Sequence, residues 1–349
     1  MITSAPTRSL HDPDLVERYL HLIGDGDEQG ACDLAVSLLD QGVPAQRIMV
    51  DLIGGSQGRV GELWAANEWS VAREHAATAV NERVLAVVAG RLRTTARRGR
   101  ITLACVDGEW HGLPARILAE LLRMDGWRVD FLGASVPGPH LITHLHQTGP
   151  DAVALSCMIP TRLPRAHAAI TACRAAGVPV IAGGRGFGAG SRYAERLGAD
   201  AWAATAEEAV IRLASDWPPP PAPDFPSHLA DFLGDEEYTH LVRSRPQLIE
   251  TAMQRLAVVV PAVQDYDEQQ REATMEDFGH IADFLAASLY VDEPQIFLDF
   301  TTWTAGVLTA RGVPIAALTA GLRLVRDQLI DFPKATATLN RSLETLPTP

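Results

Sequence analysis

Three loops and one helix of this 349-residue chain carry side chains whose types and spacing suit the holding of a large ligand. The first loop is "DGEWHGLPARI", with Glu109, Trp110, His111 and Gly112 in a row. It follows an apolar run, so Glu109 and His111 fall at the carboxyl end of a strand. An imidazole there can donate a lone pair to a metal above the sheet, and a carboxylate beside it can orient the ring and raise its basicity. The second loop is "SCMIPT", with the small hydroxyl of Ser156 and the flexible apolar Met158. The third is "AGGRGFG", where Gly183 and Gly184 allow close approach of backbone and ligand, since no side chain intrudes. The helix is "GELWAANEWSVAREHAATA", which sets Trp64 ahead of an adjacent Glu74-His75 pair. A flat indole can shield a ligand face, and a carboxylate can accept hydrogen bonds from it. His75 either touches that ligand or orients Glu74, and Trp69 reads as structural. Each feature alone has a plain reading as a solvated loop, a turn or core packing. The signal is their combination, in order and each at a strand's end.

The elements that must position these residues are legible. Residues 101–215 alternate strand and helix: "ITLACVDG", "WRVDFLG", "DAVALSCM", "VPVIAGG" and "ADAWAA" are strands, each followed by a helical pattern. Such units make an α/β doubly wound domain, Rossmann- or flavodoxin-like, over 99–216, with its ligand beyond the carboxyl ends of the strands. Residues 10–98 read as a bundle of about four helices, the last capped by Ser70. The proline run in 217–226 tends to polyproline II and reads as a semi-rigid linker. Residues 227–349 show helical periodicity punctuated by Pro246, Pro294 and Pro314, predicting an all-α domain.

The loop motifs resemble the cobalamin-binding domain, whose pattern is D/E-x-H-x-x-G after the first strand, S-x-L after the third and G-G after the fourth. The resemblance covers roughly residues 10–215. It implies that His111 is the lower ligand to cobalt and Glu109 its partner. It also implies that Ser156, Met158, Gly183 and Gly184 line the slot for the nucleotide tail, and that the bundle is a cap over the corrin. Two positions depart: Pro114 stands where the motif has glycine, with Gly112 nearby to supply a tight turn, and Met158 replaces leucine. Trp64 followed by Glu74-His75 resembles the cap signature of light-sensing adenosylcobalamin photoreceptors. There the tryptophan packs against the 5'-deoxyadenosyl group and the glutamate helps to hold it. In the DNA-binding members the next residue is a histidine that captures cobalt after photolysis; here it is Ala65. A light-state bis-histidine link is therefore not expected by that route. The alternative is a corrinoid methyl carrier serving a methyltransferase, a class with the same cap-plus-sheet layout.

The helical tail resembles the last helices of a globin-like sensor domain, and the domain order resembles the photocobilins. That resemblance implies a bilin such as biliverdin. Arg243, Arg245, Arg323 and Arg326 are candidates for its propionates, and His280, Tyr290 and Asp299 for its polar pyrrole groups. None of the four cysteines lies after residue 173, so the pigment is expected to be noncovalent. Haem on His240 or His280 and a plain dimerisation bundle are the competing uses of such a tail.

Composition bounds the rest. A formal net charge of −13 and the lack of a basic recognition helix argue against direct nucleic-acid binding. The apolar runs are too short to span a membrane and no signal-peptide core opens the chain, so a cytoplasmic protein with reduced cysteines is expected. The chain reads as a sensor rather than an enzyme, a homo-oligomer acting on an unidentified effector protein.

Overall fold

The computed structural model describes residues 13–215, 217 and 236–346. The cap begins with α1 (Pro13–Gly24) and α2 (Glu28–Asp40). In α1, Leu15, Tyr19 and Ile23 recur every four residues and are buried, the stripe expected of a helix with one apolar face. Asp27 caps α2 by accepting the Gly30 N–H at 2.8 Å. A short turn, α3 (Ala45–Arg47), runs through a π-helical stretch, Ile48–Gly54, into α4 (Gly55–Ala65). Then α5 (Val71–Gly90) starts at Ser70, whose hydroxyl accepts the Arg73 N–H, as its residue type predicts.

The sheet domain holds β1 (Arg100–Val106), α6 (Gly112–Asp125), β2 (Arg128–Val136), α7 (Gly138–Thr148), β3 (Ala152–Ser156) and α8 (Leu163–Ala175). It continues with β4 (Val180–Gly183), α9 (Arg192–Arg196), β5 (Ala201–Ala203) and α10 (Ala206–Ser215). All strand pairs are parallel, in the order β2-β1-β3-β4-β5. The helices α6 and α10 cover one face, packing Ala119 and Leu213 on Ile101 and Ile181. The other face meets α7 and α8 through Leu141, Leu163 and Ile170. The chain leaves β1 for one side and returns to β3 on the other, so the ends of β1 and β3 form the switch point where a crevice opens.

The C-terminal region is helical in its described elements: α11 (Glu236–Val259), α12 (Glu268–Tyr290), α13 (Gln295–Ala310), α14 (Ile315–Arg326) and α15 (Pro333–Thr345). Pro294 and Pro314 stand at the starts of α13 and α14, as read from sequence. Pro246 does not: α11 runs through it. A proline there removes one backbone donor, and burial of Leu241, Leu248, Ile249 and Ala252 on both sides of it holds the helix together. The segment read as a linker lies outside the described residues except for Trp217, whose indole N–H donates to the Asp151 carbonyl at 3.1 Å.

The three regions share cores. Leu113, Ile117 and Leu121 of α6 complete the core of the cap. Ala287, Tyr290, Val291 and Ile296 complete the core beneath α8. No helix among the described residues is long and apolar enough to cross a membrane.

Candidate functional site

The loop after β1 is pinned before it delivers its histidine. Gly108 turns at φ +78°, a conformation that favours glycine. Its N–H donates to the Ser135 hydroxyl at 3.0 Å, and the Ser135 N–H donates to the Glu109 carbonyl at 2.8 Å, which ties the loop to the end of β2. Glu109 itself is almost wholly buried, 1% exposed. Its Oε1 accepts the His111 N–H at 2.9 Å and lies 2.6 Å from His111 Nδ1. Its Oε2 accepts the backbone N–H groups of Met158 at 2.7 Å and Ile159 at 3.1 Å. One residue thus joins the loops at the ends of β1, β2 and β3, its backbone carbonyl reaching Ser135 and its carboxylate His111, Met158 and Ile159.

The electrostatics follow from those bonds. Burial alone would push the Glu109 carboxyl up, but the bonds from the His111 ring, the His111 N–H and the Met158 N–H outweigh it and hold the group below its usual range. His111 is raised, first by its bond to Glu109, against burial, with the charges of Glu109 and Glu74 adding to the effect. The contribution of Glu74 means that the cap carboxylate lies near enough for its charge to be felt at His111. With Nδ1 committed to Glu109, Nε2 is the ring nitrogen left for a ligand, and His111 remains exposed. Trp110, beside it, is also exposed.

Pro114 fits without strain. It lies in the first turn of α6, which starts at Gly112, where a missing N–H leaves no bond unmade. Gly112 is not needed for a tight turn: its φ is not positive, and a Cβ there would meet only Ala134, at 3.8 Å.

Ser156 ends β3, buried and in register with Cys105 of β1 and Gly183 of β4. Met158 is half-buried, with its backbone on Glu109. Gly183 and Gly184 follow at the end of β4. Gly184 has φ +103°, and a Cβ on it would fall 2.3 Å from the Cys157 carbonyl oxygen. The two loops therefore lie backbone against backbone, with the Gly186 N–H donating to the same Cys157 carbonyl at 2.9 Å. All four cysteines are free and buried. Burial pushes the thiols of Cys105 and Cys173 up to about 12, so neither is a thiolate at neutral pH.

In the cap, Trp64 lies half-buried at the end of α4 and Glu74 in the first turn of α5. His75 Nδ1 sits 2.6 Å from Glu74 Oε2 and 2.9 Å from the Val71 carbonyl. That geometry makes His75 an orienting neighbour of Glu74. Sequence reading missed what stands behind Glu74. Tyr19 Oη donates to Asn81 Oδ1 at 2.8 Å, Asn81 Nδ2 to Gln57 Oε1 at 2.9 Å, and Gln57 Nε2 to Thr78 Oγ1 at 2.8 Å. The Thr78 hydroxyl is shared between the Glu74 carbonyl at 3.0 Å and its Oε1 at 3.2 Å. A polar chain runs from the core of the cap to the Glu74 carboxylate. Its one signal in the sequence is Asn81, a polar residue on the apolar stripe of α5. Trp69 is structural, buried under the guanidinium of Arg73 at 4.3 Å.

Residues 99–214 match a family model described as B12 binding domain, and residues 15–89 match a second model of the same description. The matches support a cobalamin-binding protein. The HTH-type transcriptional repressor CarA of Myxococcus xanthus is 38% identical over 138 residues, and the match spans 36% of this chain and 47% of that protein. Dimethylamine corrinoid protein 3 of Methanosarcina mazei is 29% identical over 122 residues, 34% of this chain and 72% of that protein. A corrinoid protein of Desulfitobacterium hafniense is 23% identical over 207 residues, 56% of this chain and 94% of that protein. The monomethylamine corrinoid protein of Methanosarcina barkeri superposes at a TM-score of 0.51 with 19% identity, over 57% of this chain and 96% of that one, a likeness of fold. The donor set suits such a ligand. Among the described residues no group of three or more His, Cys, Asp or Glu can hold a bare metal ion. A single oriented histidine suits a metal that arrives with its equatorial ligands in a macrocycle.

The polar set nominated in the tail is not gathered around one slot. Arg243, Arg323, His280 and Asp299 are exposed, and Asp299 accepts from Gln295 Nε2 at 2.7 Å. Arg245 donates to both oxygens of Asp283, at 2.6 and 2.9 Å. Arg326 bonds Asp327 and Asn340. Tyr290 is turned away from the tail's own core, its hydroxyl 2.6 Å from His167 Nδ1 on α8. Long polar side chains on packed helices pair with the nearest complementary group, and spacing along the sequence does not reveal which. A cleft lined by Ser288, Asp292, Lys334 and Arg341 contains none of that set. His240 stacks on Phe332, with ring centroids 4.2 Å apart.

Proposed function

We propose that the chain is a light sensor built on adenosylcobalamin, with a noncovalently held bilin such as biliverdin as a second chromophore in a globin-like C-terminal domain. The observation that carries this reading is the Glu74 carboxylate, oriented by His75 and Thr78 and near enough for its charge to act on His111. A methyl group offers nothing for a carboxylate to accept, whereas ribose hydroxyls and an adenine amine do. Adenosylcobalamin would supply visible absorption and a cobalt–carbon bond that light breaks. The chain's own work is then to fix the His111 tautomer through Glu109, to exclude water from the upper face with Trp64, and to hold the adenosyl group with Glu74. Loss of that group changes which packing of the cap is favoured, and the change passes on as a conformational or oligomeric signal to an effector protein. The bilin part rests on domain order and the tail's resemblance, and the absence of cysteine beyond residue 173 makes the attachment noncovalent.

The test is absorption spectroscopy of protein loaded with adenosylcobalamin, kept anaerobic and illuminated. A spectral change absent from the dark control is expected, and a photostable adenosyl form ends the reading. Separate additions of biliverdin and haem to the same protein assign the tail, the bilin reading requiring a stoichiometric red-absorbing complex.

A second reading, the methyl carrier, is favoured by one observation: the matched region spans nearly the whole of the corrinoid protein from Desulfitobacterium hafniense, 94% of it. Tighter binding of methylcobalamin than of adenosylcobalamin would select it.

A further inference from the structure

The tail touches the cap at the tryptophan that the site depends on. Arg311, just past the end of α13, donates from Nη1 to the Ala65 carbonyl at 3.2 Å and from Nη2 to the Trp64 carbonyl at 3.1 Å. Its guanidinium lies over the Trp64 ring, 4.9 Å from the centroid. Trp303, on α13, stacks against the same ring with centroids 5.9 Å apart and planes 27° from parallel.

Three physical features make this more than incidental packing. First, α4 ends at Ala65, so its last carbonyls carry the negative end of the helix dipole, and that of Trp64 accepts a turn bond from the Asn67 N–H, at 3.0 Å, which leaves a lone pair for Arg311. A guanidinium is the side chain best matched to two carbonyls and an aromatic face together, because its donors are forked and its plane can stack. Second, Arg311 Nη1 also donates to Val307, at 3.1 Å on its own helix, so one cation closes the ends of α4 and α13. Third, the backbone bonds and the ring contact fall on the same residue. Arg311 therefore fixes both where α4 ends and how the indole is tilted. Residues 62 and 66–68, around the end of α4, are exposed, so the cap supplies little else to hold that indole from outside.

We infer that the upper-face site has a third wall contributed by the C-terminal domain, in which Arg311 and Trp303 are positioning residues that set the indole of Trp64 against a bulky upper ligand. This inference rests on the cobalamin reading of Trp64. It goes beyond that reading in assigning part of the ligand selectivity to the tail. It also gives the tail a direct mechanical link to the upper face: any tilt of the Trp64 ring must break or drag the Arg311 bonds.

The test compares full-length wild type with Arg311→Met, Trp303→Ala and Trp303→Phe. Near-ultraviolet circular dichroism of the cobalamin-free proteins reads the tryptophan stack, and thermal melts show that each variant is folded. Fluorescence titrations then give affinities for adenosylcobalamin and for hydroxocobalamin, which lacks a bulky upper ligand. Arg311→Met and Trp303→Ala are expected to lose the tryptophan dichroism and to weaken adenosylcobalamin roughly tenfold, which is about 1.4 kcal/mol, with hydroxocobalamin unchanged within about twofold of the wild-type value on the same scale. Trp303→Phe, which keeps a stacking ring, restores most of the selectivity. Equal effects on both cobalamins, or no effect on either while the dichroism is lost, would overturn the inference and leave a docking contact only. A wild-type protein that binds neither cobalamin would instead overturn the reading beneath it, and this inference with it.

Discussion

Glu109 Oε2 accepts the backbone N–H of Met158 at 2.7 Å, and through that bond the loop after β1 is fastened to the loop after β3. The same carboxylate faces Nδ1 of His111. Glu109→Gln keeps the shape but sets an amide N–H against a ring N–H or a backbone N–H, whichever way it turns. The expected cost is about 2 kcal/mol of stability, the scale of a lost hydrogen bond to a buried charge. With His111 as the proposed cobalt ligand, cobalamin affinity should fall about 10- to 100-fold, the scale for losing the partner of a metal-binding histidine. Thermal melts and absorption titrations check the two effects separately.

The pH dependence of that cost has a defined sign. Glu109 is depressed in the folded protein, so its contribution is present above the unfolded carboxylate pKa and is lost as pH falls through its folded value. His111 is raised, so its contribution is present below the unfolded imidazole pKa and is lost as pH rises through its folded value. Both are whole between about pH 4.3 and 6.5. The stability gap between ligand-free wild type and Glu109→Gln should therefore be widest in that window and narrow on either side. A gap that is flat with pH would show that the pair is not coupled in this way.

The glycines rank themselves by what a methyl group would meet. Gly184→Ala demands a backbone region that is nearly glycine-only and drives Cβ into the Cys157 carbonyl, so a loss of about 2 kcal/mol or more is expected. Gly183→Ala meets the Ala203 carbonyl at 3.2 Å and should cost less. Gly112→Ala, in the first turn of α6, should be neutral or gain a few tenths of a kcal/mol, up to about 1. Denaturant melts of the three variants test the order.

How far the sequence reveals the site depends on the distance over which each feature is set. Strand ends, the Ser70 cap and the glycine loops are local, so periodicity and residue type expose them. His111 and Glu109 are two residues apart, and their pairing is visible in that spacing. The third role of Glu109, holding Met158 and Ile159, spans 49 and 50 residues and has no local mark. Arg311 on Trp64 spans 247 residues and reads in sequence as an ordinary arginine at a helix end. Pro246 misled for the opposite reason: a strong local signal was overridden by burial on both sides of it. The contact of Tyr290 with His167 spans 123 residues and has no local mark either.

The chain behind Glu74 makes its own prediction. Tyr19 and Asn81 are both fully buried, so Tyr19→Phe removes a donor and leaves the Asn81 oxygen unpaired inside the cap. About 1–2 kcal/mol should be lost. If the chain orients Glu74, adenosylcobalamin affinity should fall as well, although four hydrogen bonds, through Asn81, Gln57 and Thr78, separate Tyr19 from the Glu74 carboxylate. An unchanged affinity in a destabilised but folded variant would confine the chain to cap stability.

The contact of His167 with Tyr290 predicts how the tail stays docked on the sheet domain as conditions change. Burial lowers the His167 pKa, so the folded protein resists protonating it while the unfolded chain does not. The unfolded state then binds more protons just below about pH 6.5, and stability must fall as pH drops through that value toward the folded pKa. Protonation also spoils the 2.6 Å contact if Nδ1 is its acceptor, because the Tyr290 hydroxyl, itself raised by burial and by neighbouring Tyr238, stays protonated and would have to turn its own hydrogen away. His167→Gln keeps a polar partner of similar reach but cannot titrate. At neutral pH it should cost about 1 kcal/mol, the worth of one hydrogen bond. Between pH 7.5 and 5.5 it should lose less stability than wild type, measured by denaturant melts. Equal losses in both proteins would remove His167 from the acid response and leave the shared core of Ala287, Val291 and Ile296 as what holds the tail in place.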